Sequence, residues 1–408
     1  MKALFVCLTD YQLLNSINIK KHLLTEQEAD IIIFNNKAGT FELADRLQQT
    51  GIFQNVYVYS ECFDGIHKYL RKLSEGKKNI GFFEAINGTT KNISLKILEI
   101  IKDKEWILNQ KIYKNKKINF SHYDQFFGIE TKAFVGECLN LILKNNKCTN
   151  NLIDEGLASY LRTNFNEKHK VDAVYLYEPK MIVYSKNDFN SIFKIPKIKK
   201  TDDSFVNLIN FVFGFKDSDK VNLENEIIFF DQNTDPMPKY LCNAGKIKRL
   251  IFHNSYNKHL QEQIVYQTKI DLFKKIVEVT YPKKVFVKLH PRSNSDYIKD
   301  YEEGGAKFLP NIYAPWEVFG CNCNVKNNLW ITLYSSALFS FDFTINSTNE
   351  NIKYIFLYRI LNSKKKMKRF EIVDEFFSNF KSKYPDKIFL PNNEEELIKV
   401  LKLMEEEK

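Results

Sequence analysis

Short apolar runs alternate with longer amphipathic segments along most of the chain, a pattern typical of strands that alternate with helices. In the first half, the pattern predicts strands at residues 3–8, 30–34, 56–59, 125–128, 151–153 and 173–177. It predicts helices at residues 11–24, 41–49, 66–73, 93–108 and 132–143. Elements at this spacing predict a parallel sheet with right-handed crossover connections, so a Rossmann-like first domain is expected.

A polar and charged stretch without helical or strand periodicity interrupts the pattern at residues 213–226. We interpret residues 214–225 as a linker between two domains, residues 1–213 and residues 226–408. After it, strands are predicted at residues 227–230, 285–289, 307–309, 329–333 and 354–357, and helices at residues 255–279, 371–380 and 394–404. The sequence therefore predicts an α/β fold with two Rossmann-like domains facing a central cleft. Residues 285–289 are the expected central strand of the second domain.

The composition is that expected for a two-domain protein of the cytoplasm. The chain has 408 residues, and the 44% that are hydrophobic can fill two cores. No apolar run approaches the ~18 residues that a bilayer-spanning helix needs, and the first residues show no signal-peptide layout. The seven cysteines are scattered and odd in number, which favours reduced thiols over a disulfide framework.

The formal net charge of +10 suits an anionic partner, such as a nucleotide, an acidic glycan or an anionic lipid surface. A nucleic acid is not expected, because nucleic-acid-binding motifs are missing and basic residues are interspersed with acidic ones. We interpret the basic runs at residues 111–117 and 194–200 as solvated loops, with peripheral contact to the inner face of the cell membrane as the alternative. The chain lacks a Gly-x-Gly-x-x-Gly segment, so no dinucleotide cofactor is expected.

A histidine stands where the predicted strand at residues 285–289 ends. Pro291 follows it and disfavours the helical region for His290, so the imidazole is expected at the carboxyl end of a strand. Open α/β sheets bind their ligands at that edge. An imidazole there can donate a hydrogen bond or a proton to a departing phosphate. For the dipeptide alone, the alternative is a histidine in an ordinary strand-to-loop turn.

Asp154-Glu155-Gly156 places two carboxylates at the end of another predicted strand, before a glycine that allows a turn. A carboxylate there can accept a proton from an attacking hydroxyl, which is the work of a general base. Adjacent residues of an extended chain point to opposite sides, so only one of the two is expected to face a ligand. The alternative is an acidic turn that caps the next helix. No Asp-x-Asp follows a predicted strand, which favours metal-independent chemistry.

The hydroxyl pair Ser335-Ser336 lies between the predicted strand at residues 329–333 and an apolar segment. Hydroxyl groups at a helix start, together with free backbone N–H groups, can bind a phosphate. The alternative is an ordinary serine N-cap.

Further polar residues stand at equivalent places in the second domain. Glu317 lies just inside a helix that a proline starts, where it can accept hydrogen bonds from ribose hydroxyls or complement the helix dipole. We interpret Trp316 as a core residue. Asp231-Gln232-Asn233 follows the strand at residues 227–230 and is expected either to line the cleft or to form a solvated turn.

The acidic-acidic-Gly segment, the His-Pro after an apolar strand and the Ser-Ser pair together resemble the bacterial sialyltransferases of glycosyltransferase families 52, 80 and 38. The opening Cys7-Leu8-Thr9-Asp10-Tyr11-Gln12 is most similar to family 52. The resemblance implies a GT-B fold and CMP-sialic acid as the donor. It also implies inverting, metal-independent transfer to a galactose-type hydroxyl of lipooligosaccharide or capsule.

The resemblance also implies roles for single residues. Glu155 or Asp154 becomes the general base, while His290 stabilises or protonates the CMP phosphate. In family 52 the assigned base is an aspartate after the first strand of the second domain, which here implies Asp231 or Asp235 instead. Ser335 and Ser336 bind the phosphate and Glu317 holds the ribose. The expected donor-binding set comprises His290, Pro291, Ser335, Ser336, Glu317, Gln232, Asn233, Thr9 and Gln12.

Two alternative functions stay open. One is a GT-B transferase that uses CMP-Kdo, another CMP-activated nonulosonic acid or a UDP-sugar. The glycine pair Gly304-Gly305 precedes a predicted strand rather than following one, so it does not predict a diphosphate loop. The other is a non-catalytic nucleotide- or glycan-binding protein. The sequence does not determine the linkage, the acceptor, single addition against polymerisation or the oligomeric state, although the resemblance suggests a homodimer.

Overall fold

The computed structural model of the protein describes residues 1–35, 39–60, 118–129, 148–161, 170–184, 189–232, 253–290, 295–310, 314–346, 350–367 and 369–406. The chain divides into two compact units, each made of more than one segment. Unit 1 comprises Met1–Glu155, Asn164–Leu176 and Lys186–Pro196. Unit 2 comprises Gly156–Thr163, Tyr177–Ser185 and Lys197–Lys408.

Unit 1 contains one parallel sheet of seven described strands. They are β1 (Lys2–Cys7), β2 (Glu28–Asn35), β3 (Asn55–Ser60), β4 (Gln125–Gly128), β5 (Thr149–Ile153), β6 (Val171–Leu176) and β7 (Phe189–Lys194). Their order across the sheet is β3-β2-β1-β4-β5-β6-β7. The direction of strand addition reverses between β1 and β4, which is the topological switch point of a Rossmann-like sheet.

Two described helices accompany the first strands of unit 1, α1 (Asp10–His22) and α2 (Thr40–Gln49). The core is aromatic. The Phe5 ring of β1 stacks on Phe127 of β4 with 4.6 Å between ring centroids, and it meets Phe53 edge-on at 5.5 Å. The buried run of β1 explains why the sequence pattern locates this strand within one residue at each end.

Unit 2 contains a second parallel sheet, of six described strands. They are β8 (Ile227–Phe230), β9 (Val285–Lys288), β10 (Lys307–Phe308), β11 (Leu329–Thr332), β12 (Lys353–Phe356) and β13 (Ile388–Phe389). Their order is β10-β9-β8-β11-β12-β13, again a Rossmann-like order, with its switch point between β8 and β11. The expectation that residues 285–289 form the central strand is wrong. The chain adds β9 and β10 outward from β8 and then crosses to the other side, so β8 and β11 are central.

Helices pack with this second sheet. The described helices of unit 2 are α3 (Leu157–Tyr160), α4 (Asp203–Phe213), α5 (His253–Thr280), α6 (Ser295–Glu303), α7 (Trp316–Asn322), α8 (Ala337–Thr344), α9 (Tyr358–Lys364), α10 (Phe370–Lys383) and α11 (Glu394–Glu406). Phe229 of β8 packs against Phe273 of α5 and Tyr301 of α6, with ring centroids 5.5 and 6.1 Å apart. Among the described helices, none combines the length and the apolar character needed to cross a membrane.

Short segments from the first half of the chain belong to unit 2. The fully buried ring of Tyr160 lies 5.3 Å from Phe343 of α8 and 5.8 Å from Phe376 of α10. The carboxylate of Glu178 lies 3.1 Å from the Lys197 amine and 3.0 Å from the Lys383 amine. Aromatic packing and ion pairs thus hold these segments in unit 2.

The observed units differ from the predicted division at residue 213 and linker at residues 214–225. Unit 2 resumes at Lys197, and Asn210 of α4 exchanges 2.7 Å hydrogen bonds with Asn322 of α7. Phe215 and Leu223, both inside the predicted linker, are buried. The stretch is polar in overall composition, but a few buried apolar residues pack it into unit 2.

The prediction of an α/β fold with two Rossmann-like units is confirmed, and two such units are what a GT-B fold requires. Strands β7 and β13 and helices α4, α6 and α9 were not predicted from the sequence. The predicted helices at residues 66–73, 93–108 and 132–143 lie outside the described residues.

Candidate functional site

Three of the predicted motifs reach the carboxyl edge of the unit 2 sheet. Asp231 directly follows β8, His290 lies two residues after β9, and Ser335 and Ser336 follow β11. Strands β8 and β11 flank the switch point, where open α/β sheets bind their ligands. This edge is the candidate functional site.

Asp231 is buried and its carboxylate is fully engaged. Its Oδ1 atom accepts hydrogen bonds from the Lys269 amine at 2.5 Å and the Tyr301 hydroxyl at 2.8 Å. Its Oδ2 atom accepts the backbone N–H of His290 at 3.3 Å. The aspartate therefore joins the ends of β8 and β9 and sets the backbone position of His290. The solvated-turn alternative for Asp231 is wrong, because its side chain is about 1% exposed.

Lys269 and Tyr301 are functional-site residues that the sequence did not reveal. Lys269 lies on α5 with a side chain only 1% exposed, and it also donates to the Gln232 carbonyl oxygen at 2.9 Å. Burial and the Asp231 charge raise the pKa of Tyr301, so the hydroxyl stays protonated and acts as a donor. The available signal was helical spacing, because Lys269 lies four residues from Val265 and four from Phe273, both buried on α5.

Gln232 joins the two central strands. Its Oε1 atom accepts the backbone N–H of Tyr334 at 3.3 Å, and the Thr332 hydroxyl donates to the Phe230 carbonyl oxygen at 3.0 Å. These bonds fix the ends of β8 and β11 at the switch point. The Gln232 amide oxygen thus has a structural role, because it holds the segment after β11 against the end of β8.

The two serines after β11 differ in their surroundings. The Ser335 Oγ atom accepts the backbone N–H of Ala337, the first residue of α8, at 3.3 Å. Ser336 occupies the N-cap position itself, but its side chain makes no capping hydrogen bond. It is partly exposed, and no hydrogen bond of its hydroxyl is found in the described part of the chain. Ser336 is therefore the serine whose hydroxyl is available to a ligand.

The Asp-Glu-Gly segment and the Ser-Ser pair meet at Gly156. A Cβ atom on Gly156 would lie 2.9 Å from the Ser336 Oγ atom, and the residue has a φ of +92°. Close approach and backbone conformation both require glycine here. Gly156 and Ser336, which lie far apart in the sequence, are thus in contact within unit 2.

The two acids before Gly156 are not equivalent. Asp154 is completely buried, and its carbonyl oxygen accepts the Asn15 side-chain amide at 2.8 Å. Glu155 is partly exposed. Only Glu155 of this pair has a carboxylate that a ligand can reach, which agrees with the alternation expected of an extended chain.

Lys288, the last residue of β9, is a second cation that the sequence reasoning did not select. It lines a cavity of about 50 Å³ together with Leu289, Leu309, Pro310, Ala314, Trp316 and Phe319. Burial lowers the pKa of Lys288, and the charges of Glu317 and Asp231 oppose that effect. A partly buried ammonium group at a strand end is suited to an anionic ligand.

Glu317 is buried, and the Ser340 hydroxyl donates to its Oε1 atom at 2.5 Å. Burial raises the pKa of Glu317, while the hydrogen bond from Ser340 and the Lys288 charge lower it. For Glu317 to contact a ribose, as predicted, its carboxylate must therefore leave its buried position and its hydrogen bond with Ser340. Trp316 is 4% exposed and packs edge-on against Phe230 and Trp330, which confirms its assignment to the core.

In unit 1, Thr9 and Gln12 form the capping box of α1. The Thr9 Oγ1 atom accepts the Gln12 backbone N–H at 3.2 Å. The Gln12 Oε1 atom accepts the backbone N–H groups of Leu8 at 2.7 Å and Thr9 at 3.2 Å. Both side chains are thus engaged in hydrogen bonds with the local backbone. Their predicted binding of the nucleotide-sugar donor stays a prediction.

Pro291, Asn233 and Asp235 lie outside the described residues. Within the described residues, no group of three or more His, Cys, Asp or Glu side chains is placed to hold a metal ion.

No protein-family model matches the chain, and no curated protein sequence does. Among solved structures, the chain is similar to the crystal structure of MurG from Acinetobacter baumannii, with 9% sequence identity and a TM-score of 0.38. The match covers 100% of this chain and 90% of that one.

Proposed function

We propose that the protein is a GT-B sialyltransferase that transfers sialic acid from CMP-sialic acid to a terminal galactose-type hydroxyl of a bacterial surface glycan. The acceptor class is lipooligosaccharide or capsule. The observation that carries the proposal is the contact between Gly156 and Ser336, which lies four residues after the switch-point strand β11 and directly before α8. Gly156 directly follows the base candidate Glu155 in the sequence, and Ser336 is the phosphate-binding candidate.

In this mechanism Glu155 accepts the proton of the acceptor hydroxyl. The acceptor oxygen forms a bond to the anomeric carbon of sialic acid as the bond from that carbon to the CMP phosphate oxygen breaks. The transition state is oxocarbenium-like, so the enzyme mainly needs a base on one face and charge stabilisation of CMP on the other.

His290 and Ser336 supply the stabilisation of CMP. The backbone of His290 is fixed by Asp231, and the Ser336 hydroxyl is available for a phosphate oxygen. An imidazolium or hydroxyl donor strengthens its hydrogen bond as charge develops on the phosphate. Lys288 adds positive charge at the same edge of the sheet, and the net charge of +10 favours the approach of two anionic substrates.

Accessibility supports Glu155 as the base over the alternatives Asp154 and Asp231. Asp154 is fully buried, and Asp231 is committed to Lys269, Tyr301 and the His290 backbone. A base must come within hydrogen-bond reach of the proton that it removes. Three further properties stay predictions. They are metal-independent transfer, a cytoplasmic location with peripheral membrane contact, and a homodimer.

A donor panel tests the reaction class. The full chain is incubated with lactose and EDTA and, in turn, with CMP-sialic acid, CMP-Kdo, UDP-galactose or UDP-N-acetylglucosamine, and product is measured by mass spectrometry. We expect sialyl-lactose from CMP-sialic acid alone. Product from another donor would identify a different GT-B transferase. Absence of product and of CMP binding would leave a non-catalytic protein and refute the proposal.

The same assay tests His290. We expect His290→Ala to lower the rate of transfer by about 10²–10⁴-fold, the range for loss of an acid–base group. His122→Ala is the matched control, because His122 is exposed in a short helix of unit 1. An unchanged rate in His290→Ala would remove this residue from the mechanism.

A further inference from the structure

Helix α1 of unit 1 carries several polar side chains that are buried. Gln12, Asn15, Ser16 and Asn18 are each at most 1% exposed. Asparagine and serine form helices less readily than leucine does, and a buried amide is costly unless it is hydrogen-bonded. What these side chains contribute to the protein therefore lies in the hydrogen bonds that they make.

The two asparagines donate to backbone carbonyl oxygens that are distant in the sequence. The Asn15 Nδ2 atom donates to the Asp154 carbonyl oxygen at 2.8 Å. The Asn18 Nδ2 atom donates to the Pro196 carbonyl oxygen, also at 2.8 Å. All four residues belong to unit 1. The two bonds are of the same kind and length, but only the bond of Asn15 reaches the neighbour of the base candidate Glu155.

The hydrogen bond from Asn15 acts on the peptide group that joins Asp154 to Glu155. A peptide group is planar, so the Asp154 carbonyl oxygen and the Glu155 Cα atom lie in one plane. Asp154 is also completely buried. The hydrogen bond and the burial both restrict rotation of this plane, and the plane determines where the Glu155 side chain begins.

Helix α1 is itself held at the end of β1. The Gln12 Oε1 atom accepts the backbone N–H of Leu8 at 2.7 Å. The Cys7 Sγ atom and the Ser16 Oγ atom are hydrogen-bonded at 3.1 Å. Strand β1 lies at the switch point of the unit 1 sheet. Asn15 is therefore carried by a helix that is tied to the centre of a sheet, which suits it to fix a neighbouring backbone group.

We propose that Asn15 is a positioning residue for Glu155 and holds its carboxylate where it can remove the proton of the acceptor hydroxyl. The inference rests on the proposed function, in which Glu155 is the base. Asn15 acts through the backbone of Asp154 and Glu155, because its own side chain is completely buried. A base that is displaced by about 1 Å can lose about 10²-fold in rate, since it must lie within hydrogen-bond reach of the proton.

Asn15→Ala and Asn18→Ala form a matched pair, because each removes one 2.8 Å hydrogen bond of a buried asparagine on α1. Sialyl-lactose formation gives kcat and KM, and the stoichiometry of CMP binding counts the folded protein. We expect kcat to fall about 10–100-fold in Asn15→Ala, with the affinity for CMP unchanged. The kcat of Asn18→Ala should stay close to that of the wild type.

A double variant shows whether Asn15 acts through Glu155. If it does, Asn15→Ala has no further effect on kcat once Glu155→Gln has removed the base. A general structural effect would instead lower the rate by the same factor in both backgrounds. Asn15→Leu fills the space of the side chain without its amide, and it replaces Asn15→Ala in these measurements if that protein does not fold.

The outcomes distinguish this inference from the proposed function. Equal kcat values in Asn15→Ala and Asn18→Ala, or an additive loss in the double variant, would overturn the inference. Transfer of sialic acid by the wild type would still support the proposed function in that case. If the wild type forms no sialyl-lactose, the proposed function is refuted and the inference falls with it.

Discussion

At the end of β8, Asp231 accepts hydrogen bonds from Lys269 and Tyr301, and the ion pair that it forms with Lys269 is shielded from water. Removing two charges from water carries a large cost, which their attraction offsets only while both are present. Glu155 stands at the end of β5 but is partly exposed. Burial thus distinguishes the carboxylate of Asp231, which holds the ends of β8 and β9 together, from that of Glu155, which a ligand can reach.

We expect Asp231→Asn to lower the free energy of unfolding by about 3–5 kcal/mol, because the charge of Lys269 is left buried without its counter-ion. Denaturant titration measures the effect. Asp45→Asn is the control, because Asp45 is exposed on α2 and its change is expected within about 0.5 kcal/mol of zero. The double variant Asp231→Leu with Lys269→Met should recover much of the lost stability. A stable Asp231→Asn protein would contradict the buried ion pair.

Glu317 should make stability depend on pH. Burial raises its pKa, so the folded state keeps the proton at pH values where the unfolded state has lost it. Stability due to this group is therefore present below its unfolded pKa and falls as pH rises through its folded pKa. Glu317→Gln retains an acceptor for Ser340 but cannot ionise. We expect the variant to lose this part of the pH dependence in unfolding titrations between pH 4 and pH 8. Equal slopes in both proteins would contradict the burial effect.

At the scale of elements, α3 is the link between the Glu155-Gly156 segment and the aromatic cluster of unit 2. Tyr160, its last residue, is fully buried against Phe339, Phe343 and Phe376. A four-residue helix has little stability of its own, so this ring must hold it. The segment that precedes it depends on that packing for its position.

We expect Tyr160→Ala to lower the free energy of unfolding by about 3–5 kcal/mol, the range for removing a buried aromatic ring. Tyr160→Phe keeps the ring but removes the hydroxyl that accepts the Glu178 backbone N–H at 3.4 Å, so it should cost only about 1–3 kcal/mol and serves as the comparison. Tyr281→Ala is the control, because Tyr281 is 80% exposed. Equal unfolding midpoints for Tyr160→Ala and Tyr281→Ala would show that the ring is not an anchor.

Elements with a strong apolar period could be predicted from the sequence, and those without one could not. The buried strands β1, β8 and β11 were located within about one residue. Strand β7 was missed because it is an edge strand on which only Phe189 is buried, and β13 was missed because it has two residues. Local patterns also carry no information on strand order, which is why β9 was wrongly expected at the centre of its sheet.

At the scale of the whole molecule, the sequence predicted two Rossmann-like units but not their limits. Unit 2 takes short segments around Tyr160 and Glu178 from the first half of the chain. The residues of the candidate site on strand ends were predictable because they follow apolar runs. Lys269 and the contact of Gly156 with Ser336 were not, because both depend on residues that are distant in the sequence.

The measurement that tests the central claim most directly is sialyl-lactose formation from CMP-sialic acid and lactose by Glu155→Gln, with CMP binding measured on the same protein. Glu42→Gln is the control, because Glu42 is exposed on α2. If Glu155 is the base beside a CMP site, transfer falls by about 10²–10⁴-fold while CMP still binds as in the wild type. Transfer at the wild-type rate in Glu155→Gln would contradict the account and move the base to another carboxylate.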